Sequence, residues 1–192
     1  QGDWSSDVCS SDLVEDPVEY TLPGVNQTQV NTKAKMTFAS ALRSILRQDP
    51  DIIMIGEIRD EETAQIAIRA AITGHLVFST LHTNDAPGAI VRMTDMGVED
   101  YLVSDALVGV IAQRLVKRLC PACKKRGKTT QKEMEILGLT EPVTISRPQG
   151  CQFCNGTGYK GRVAVHEIMY LNEQMRQAVV GEKSLEKLRE LA

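Results

Sequence analysis

The chain has 192 residues, a formal net charge of −3 and 42% apolar residues. That is enough for one sizeable core, or one core with a small satellite. No apolar run approaches the roughly 18 residues of a membrane span, no cleavable signal opens the chain, and the mild acidity gives no reason to expect a nucleic-acid partner. A soluble cytosolic protein is the expectation, so that docking on a membrane complex would go through protein contacts.

Asp3 to Leu13 reads D-W-S-S-D-V-C-S-S-D-L and holds the only Trp. It is similar to translated sequencing-adapter read-through; a disordered polar terminus is the alternative. Residues 1–13 are therefore set outside the native fold, and Cys9 leaves the cysteine count. The native frame is expected from Val14.

Val14 to Tyr20 reads as the end of a strand turning at Pro17. Thr37 is a plausible N-cap for a helix carrying Phe38, Leu42, Ile45 and Leu46 on one face. Arg43 and Arg47 share another face at i, i+4 spacing. Ile52-Ile53-Met54-Ile55 is short, apolar and mostly β-branched, and reads as a strand buried on both faces. It ends on Gly56-Glu57, placing a carboxylate where open α/β sheets bind ligands. Asp60 caps a helix with Ala64, Ala67, Ile68 and Ala71, and Gly74 ends it. Leu76 to Thr80 forms another buried strand. Asp85 begins a helix that stops at Gly97, and a long apolar helix is expected from Tyr101 to about Leu119. Strands alternating with helices at this spacing predict a parallel α/β sheet.

From Cys120 the texture changes. A basic stretch surrounds Cys120 and Cys123, a short helix spans Gln131 to Leu137, and Cys151 and Cys154 precede a glycine-rich turn. Arg162 to Met169 reads as a strand. The tail from Ser184 stops inside a helical pattern without a C-cap, so the carboxyl end is expected to be incomplete.

The cysteine spacing is the strongest chemical signal. Cys120-x2-Cys123 and Cys151-x2-Cys154 can each offer two thiolates to one tetrahedral Zn²⁺. Two disulfides, disfavoured in a reducing cytosol, and four free thiols are the alternatives. Four thiolates leave no open position, so such a site is structural. His75 and His82 bracket the strand Leu76 to Thr80. At opposite ends of one strand they cannot serve the same atom. His82 lies on the ligand edge with Glu57, while His75 awaits another explanation, a neighbouring subunit among them. Taken alone, both read equally as polar strand ends. Glu15, Asp16 and Glu19 read in isolation as a charged turn around Pro17. Arg43 and Arg47 read either as a solvated helix face or as guanidinium groups that steady charge on a transferring phosphoryl group.

The run from Leu46 to Asp60, L-R-Q-D-P-D-I-I-M-I-G-E-I-R-D, resembles the Walker B region of the secretion ATPases of type II secretion and type IV pilus assembly. An acidic box, that run, a histidine box and a tetracysteine element follow in the same order, and the resemblance covers Val14 to Ala192. It implies a RecA-like P-loop NTPase sheet flanked by helices over 14–119, a tetracysteine zinc subdomain over 120–161, and a C-terminal strand and helices over 162–192. Position by position it implies Glu15 as the acidic-box residue that positions or activates water and Glu57 as the Walker B acid at Mg²⁺ and water. His82 would sense the γ-phosphate of ATP, and Arg43 and Arg47 would lie near the nucleotide. It implies a homo-hexamer that works with an inner-membrane platform protein and cytoplasmic secretion or pilus components, peripheral at the cytoplasmic face. There it would drive pilin or pseudopilin polymerisation. The tetracysteine element favours assembly and secretion motors over retraction motors. The family's phosphate loop, G-x-x-x-x-G-K-[ST], is not in this sequence. The nearest glycine-rich run, Gly156 to Gly161, lacks its spacing and sits beside the cysteines. The chain is thus expected to be a fragment of the ATPase domain, inactive alone. A non-catalytic, zinc-stabilised interaction module is the alternative.

Overall fold

The structure is a computed structural model, and residues 10–181 and 184–192 are described. Trp4, Cys9 and most of the segment expected to be adapter-derived lie outside those residues.

Strand β1 (Ser11–Glu15) is followed by β2 (Asn26–Gln29), helix α1 (Phe38–Ile45), β3 (Ile52–Ile55), α2 (Glu61–Ile72), β4 (Leu76–Ser79), α3 (Ala86–Asp95) and α4 (Asp100–Ala106). Next come β5 (Gly109–Leu119), β6 (Lys125–Lys128), α5 (Gln131–Leu137), β7 (Thr144–Arg147), β8 (Tyr159–Tyr170), α6 (Glu173–Val180) and α7 (Leu185–Leu191). The main sheet has the order β2-β1-β3-β4 and is parallel throughout. The parallel α/β expectation holds.

Two compact units emerge. One comprises the residues up to Ala112 together with Glu167–Ala192, and the other is Gln113–His166. This corrects the expected boundaries. The carboxyl-terminal helices are not a separate part, because Met169, Leu171, Met175, Val179 and Leu188 are buried in the same core as Val14, Leu42, Ile53 and Ile55. Ser11–Leu13, expected to lie outside the fold, open β1, and Leu13 is buried. Ser11 pairs with Ile52 and Leu13 with Met54.

The helix starts follow local chemistry. Thr37 Oγ1 accepts from the Ser40 amide at 3.2 Å, and the Thr37 amide donates to Ser40 Oγ at 2.8 Å. This reciprocal box satisfies two backbone donors. Phe38, Ala41, Leu42 and Ile45 then bury one face at helical spacing. Replacing the cap, Thr37→Ala, is expected to cost about 1 kcal/mol. Urea unfolding followed by circular dichroism measures it. Asp60 and Asp85 cap α2 and α3 by accepting from the amides of Thr63 and Gly88.

Two expectations about burial fail. Strand β3 is not buried on both faces: Ile53 and Ile55 are inaccessible, but Met54 is 40% exposed. Strand β4 is mostly exposed, with Leu76 and Phe78 each at 51%. The helices cover only one face of these strands among the described residues. The third failure is the helix expected over Tyr101–Leu119. Helix α4 ends at Ala106, Leu107 turns extended, and β5 runs from Gly109. Val110 and Ala112 are half-buried while Ile111 is exposed, the period of a strand. Its partner is β8, far along the chain.

In the second unit, β6 and β7 pair antiparallel, with Lys125 opposite Arg147. Helix α5 connects them and opens on a capping box at Thr130. Arg147 pairs with Glu133 of that helix. Very little apolar surface is buried: within this unit the buried residues are Cys120, Thr129, Met134, Cys154 and Gly158.

Candidate functional site

The register sets the carboxyl ends of three strands side by side. Val14 of β1 lies opposite Ile55 of β3, and Ile55 opposite Ser79 of β4. Each strand then runs one to three residues further and presents a polar group: Glu15 directly after Val14, Glu57 two residues after Ile55, His82 three residues after Ser79. Gly56 permits this closeness. Its amide donates to Val14 O at 2.8 Å, and a Cβ there would meet that oxygen at 3.1 Å. Thr80 ties the other side, its hydroxyl donating to Gly56 O at 2.5 Å and its carbonyl accepting from the Ile58 amide at 3.1 Å.

Glu57 is the centre of the cluster. Its side chain is only 16% exposed, and its two oxygens have different partners. Oε1 accepts from the Arg59 guanidinium, and Oε2 lies 3.3 Å from His82 Nε2. The Arg59 hydrogen bond, opposed by partial burial and helped by His82, holds the Glu57 carboxyl below its ordinary range. Arg59 reaches Asp16 as well, at 3.6 Å, and its own pKa is raised by Glu57 and Asp16. Glu15 accepts from Gln27 Nε2 at 2.8 Å. A shallow pocket of about 300 Å³ opens beside His82, Thr83 and Asn84.

The structure thus brings Glu15, Asp16, Glu57 and His82 to one edge. Glu19 lies exposed in the loop beyond. Arg43 and Arg47 are not at this edge. Arg43 pairs with Glu62 of α2 at 2.7 Å, and Arg47 sits in the turn that feeds the amino end of β3. Both partners of the Arg43 pair are more than half exposed, so it contributes at most about 1 kcal/mol.

His75 acquires a structural role. Its Nδ1 lies 3.0 Å from Ala70 O, and a carbonyl can only accept, so Nδ1 carries the proton. Thr73 Oγ1 donates to Arg69 O and Ala70 O. Together they satisfy carbonyls at the end of α2. Arg59 is the member of this cluster that residue pattern alone did not single out. Its signal was present in Glu57-Ile58-Arg59, two like-facing side chains past a strand end.

In the second unit the four sulfur atoms converge, all within 4.8 Å of one another. Cys120 and Cys151 are 4.0 Å apart, Cys123 and Cys154 3.8 Å, Cys151 and Cys154 3.7 Å. A regular tetrahedron of thiolates around zinc at about 2.3 Å has edges of about 3.8 Å, so the cradle fits the ion. All four cysteines are free of disulfides. Burial opposes ionisation of Cys154, but the amides of Cys151 and Gly158 donate to its sulfur and draw the thiol down to about 6. Burial pushes Cys123 up to about 11.

A family model described as "Type II/IV secretion system protein" matches residues 9–192. The chain belongs to the type II/IV secretion system protein family. Within it, the chain is 53% identical over 187 residues to the type IV pilus assembly ATPase PilB of Thermus thermophilus, covering 95% of this chain and 21% of that protein. It is 56% identical over 180 residues to type II secretion system protein E of Aeromonas hydrophila, covering 91% and 36%. Among solved structures it resembles the pilus retraction motor PilT with bound ADP, at 33% identity and a TM-score of 0.66 over 95% of this chain and 44% of that one. The ATPase DotB of Legionella pneumophila, at 23% identity and TM-score 0.64, covers 97% of this chain and 44% of its own, and shares the fold. This family member therefore spans about a fifth to a third of the length of these curated relatives. No helix among its described residues is long and apolar enough to cross a membrane.

Proposed function

We propose that this chain is the catalytic-acid part of a motor ATPase that couples ATP hydrolysis to pilin or pseudopilin polymerisation or to protein secretion. The observation that carries this reading is the convergence of Glu15, Glu57 and His82 at the carboxyl edge of one parallel sheet, where such sheets bind ligands. Glu57 would hold Mg²⁺ and the attacking water, Glu15 would position that water, and His82 would donate to a γ-phosphate oxygen. Bound ATP supplies the phosphoanhydride, and Mg²⁺ offsets the charge of its phosphates. Arg43 and Arg47, away from this edge in their own chain, would reach nucleotide only across a subunit boundary, which suits a homo-hexamer. The tetracysteine element would be a structural zinc centre. It favours assembly or secretion over retraction, as do the PilB and protein E relatives at more than 50% identity. The motor would work at the cytoplasmic face of the inner membrane with a platform protein.

The 192-residue chain, without a phosphate loop, is expected to show no Mg-ATP turnover in a coupled phosphate-release assay. Turnover that Glu57→Gln abolishes would contradict this. Joined to a G-x-x-x-x-G-K-[ST] segment, the same residues are expected to turn over ATP. Glu57→Gln then lowers kcat by about 10²–10⁴-fold.

The second reading, a zinc-stabilised interaction module without catalysis, draws on the absence of that loop from this sequence. A phosphate loop encoded upstream of Glu15 decides for the motor.

A further inference from the structure

The loop that carries His82 is held from a distance. His82 is 89% exposed at its side chain, so its contact with Glu57 depends on where the backbone of Leu81–Asp85 sits. Asp85 ends that loop, and its carboxylate is divided between two tasks. Oδ1 accepts from the Gly88 amide at 2.9 Å, starting α3. Oδ2 accepts from both Nε and a terminal nitrogen of Arg189, at 2.9 and 2.6 Å. Arg189 is on α7, at the far end of the chain, and packs in the same unit. Thr83 Oγ1 donates to Asp85 O at 3.1 Å and stiffens the turn between. Gly88 keeps the geometry tight: a Cβ there would lie 2.6 Å from Asp85 Oδ1.

We propose that Arg189 is a positioning residue for His82. Helix α7, through the Arg189–Asp85 pair, holds the Leu81–Asp85 loop so that His82 Nε2 reaches Glu57 Oε2. The side chain of Asp85 is only 22% exposed, and a two-point, charge-assisted contact there constrains direction as well as distance. The placement of the last helix and the geometry of the carboxyl edge are thereby one linked variable. A partner that pulls on α7 would move His82 without touching it. The consequence for ATP hydrolysis rests on the proposed function. The linkage itself does not, and it is measured without nucleotide.

The test is nuclear magnetic resonance on the 192-residue chain. The readouts are the nuclear Overhauser contact between the His82 ring and the Glu57 side chain, and the His82 ring nitrogen shifts. Arg189→Ala is expected to reduce the docked population of the loop about tenfold, the scale set by losing charge-assisted hydrogen bonds. Glu190→Ala, on the same helix but paired with Lys187, is expected to leave the contact intact. Should Arg189→Ala also release α7, Asp85→Asn decides. Asparagine still caps α3 but forfeits the charge that holds Arg189. Loss of the His82–Glu57 contact in Asp85→Asn, with α3 and α7 protected from exchange, supports the proposal. A contact unchanged in both variants overturns it.

Discussion

Protein purified without chelator is expected to carry one zinc per chain, and Cys154→Ser is expected to lose both the metal and the fold of residues 113–166. The reason is the scarcity of any other core. Of the five residues buried in that unit, two are the cysteines Cys120 and Cys154, one is Thr129, one is Gly158, which has no side chain, and Met134 is the sole apolar side chain that is not a cysteine. One methionine supplies about 1.5–3 kcal/mol, far less than ordering a unit of this size costs. Structural zinc in finger peptides supplies about 10–16 kcal/mol. Metal analysis by inductively coupled plasma, with hydrogen exchange resolved by peptide, reads both effects. Protection over 113–166 should vanish in the variant while the residues up to Ala112 keep theirs. Metal-free protein with four titratable thiols and protection intact in that unit would sink the zinc assignment.

The second large effect concerns the strand that delivers Glu57. Ile55→Ala is expected to destabilise the α/β unit by about 2–5 kcal/mol, against about 5–15 kcal/mol for a typical domain. Ile55 is wholly buried between β1 and β4 and belongs to the main core cluster, so truncation leaves a cavity that its neighbours cannot fill. Its neighbour provides the contrast. Met54 points to the opposite face and is 40% exposed, so Met54→Ala should cost well under half as much. Chemical denaturation of both variants measures the ratio. Equal losses would mean that β3 is covered on both faces after all.

That contrast marks the boundary of what the amino-acid pattern could say about β3. An unbroken Ile-Ile-Met-Ile run carries no alternation, so it predicts a strand without predicting which face is covered. The missed transition at Ala106 has a related cause. Tyr101 to Leu119 is apolar enough for either period, and pairing with β8, some fifty residues away, selected a strand from Gly109 onward. The same long-range pairing moved the expected domain boundary, because β8 leads Met169 and Leu171 back into the first core.

Helix starts were legible because a cap is local. Thr37, Asp60 and Asp85 each satisfy an amide three residues on, and no distant partner is needed. The cysteine pairs were legible for the same reason, since C-x2-C spacing already places two sulfurs on one side of a tight turn. Glu57 and His82 were legible at the carboxyl edge of the sheet because each comes within three residues of a strand end. Arg59 and Arg189 were not found. Arg189 reaches Asp85 from 104 residues away, and Arg59, though only two residues from Glu57, meets it through the way the chain turns beyond β3.

The sequence by itself determined the parallel α/β class, the helix caps, the cysteine cradle and the family, all of which rest on contacts within a few residues or on motif order. Tertiary structure alone decided that His75 serves the end of α2, that Arg43 faces Glu62, and that Glu57 divides its oxygens between Arg59 and His82. It alone decided that the last helix grips the loop of His82. The Arg43–Glu62, Glu57–His82 and Arg189–Asp85 contacts depend on strand register and helix packing, which bring together groups far apart in the chain. His75 and Arg59 meet near neighbours through a helix end and a strand-end turn whose side-chain directions the residue pattern leaves open.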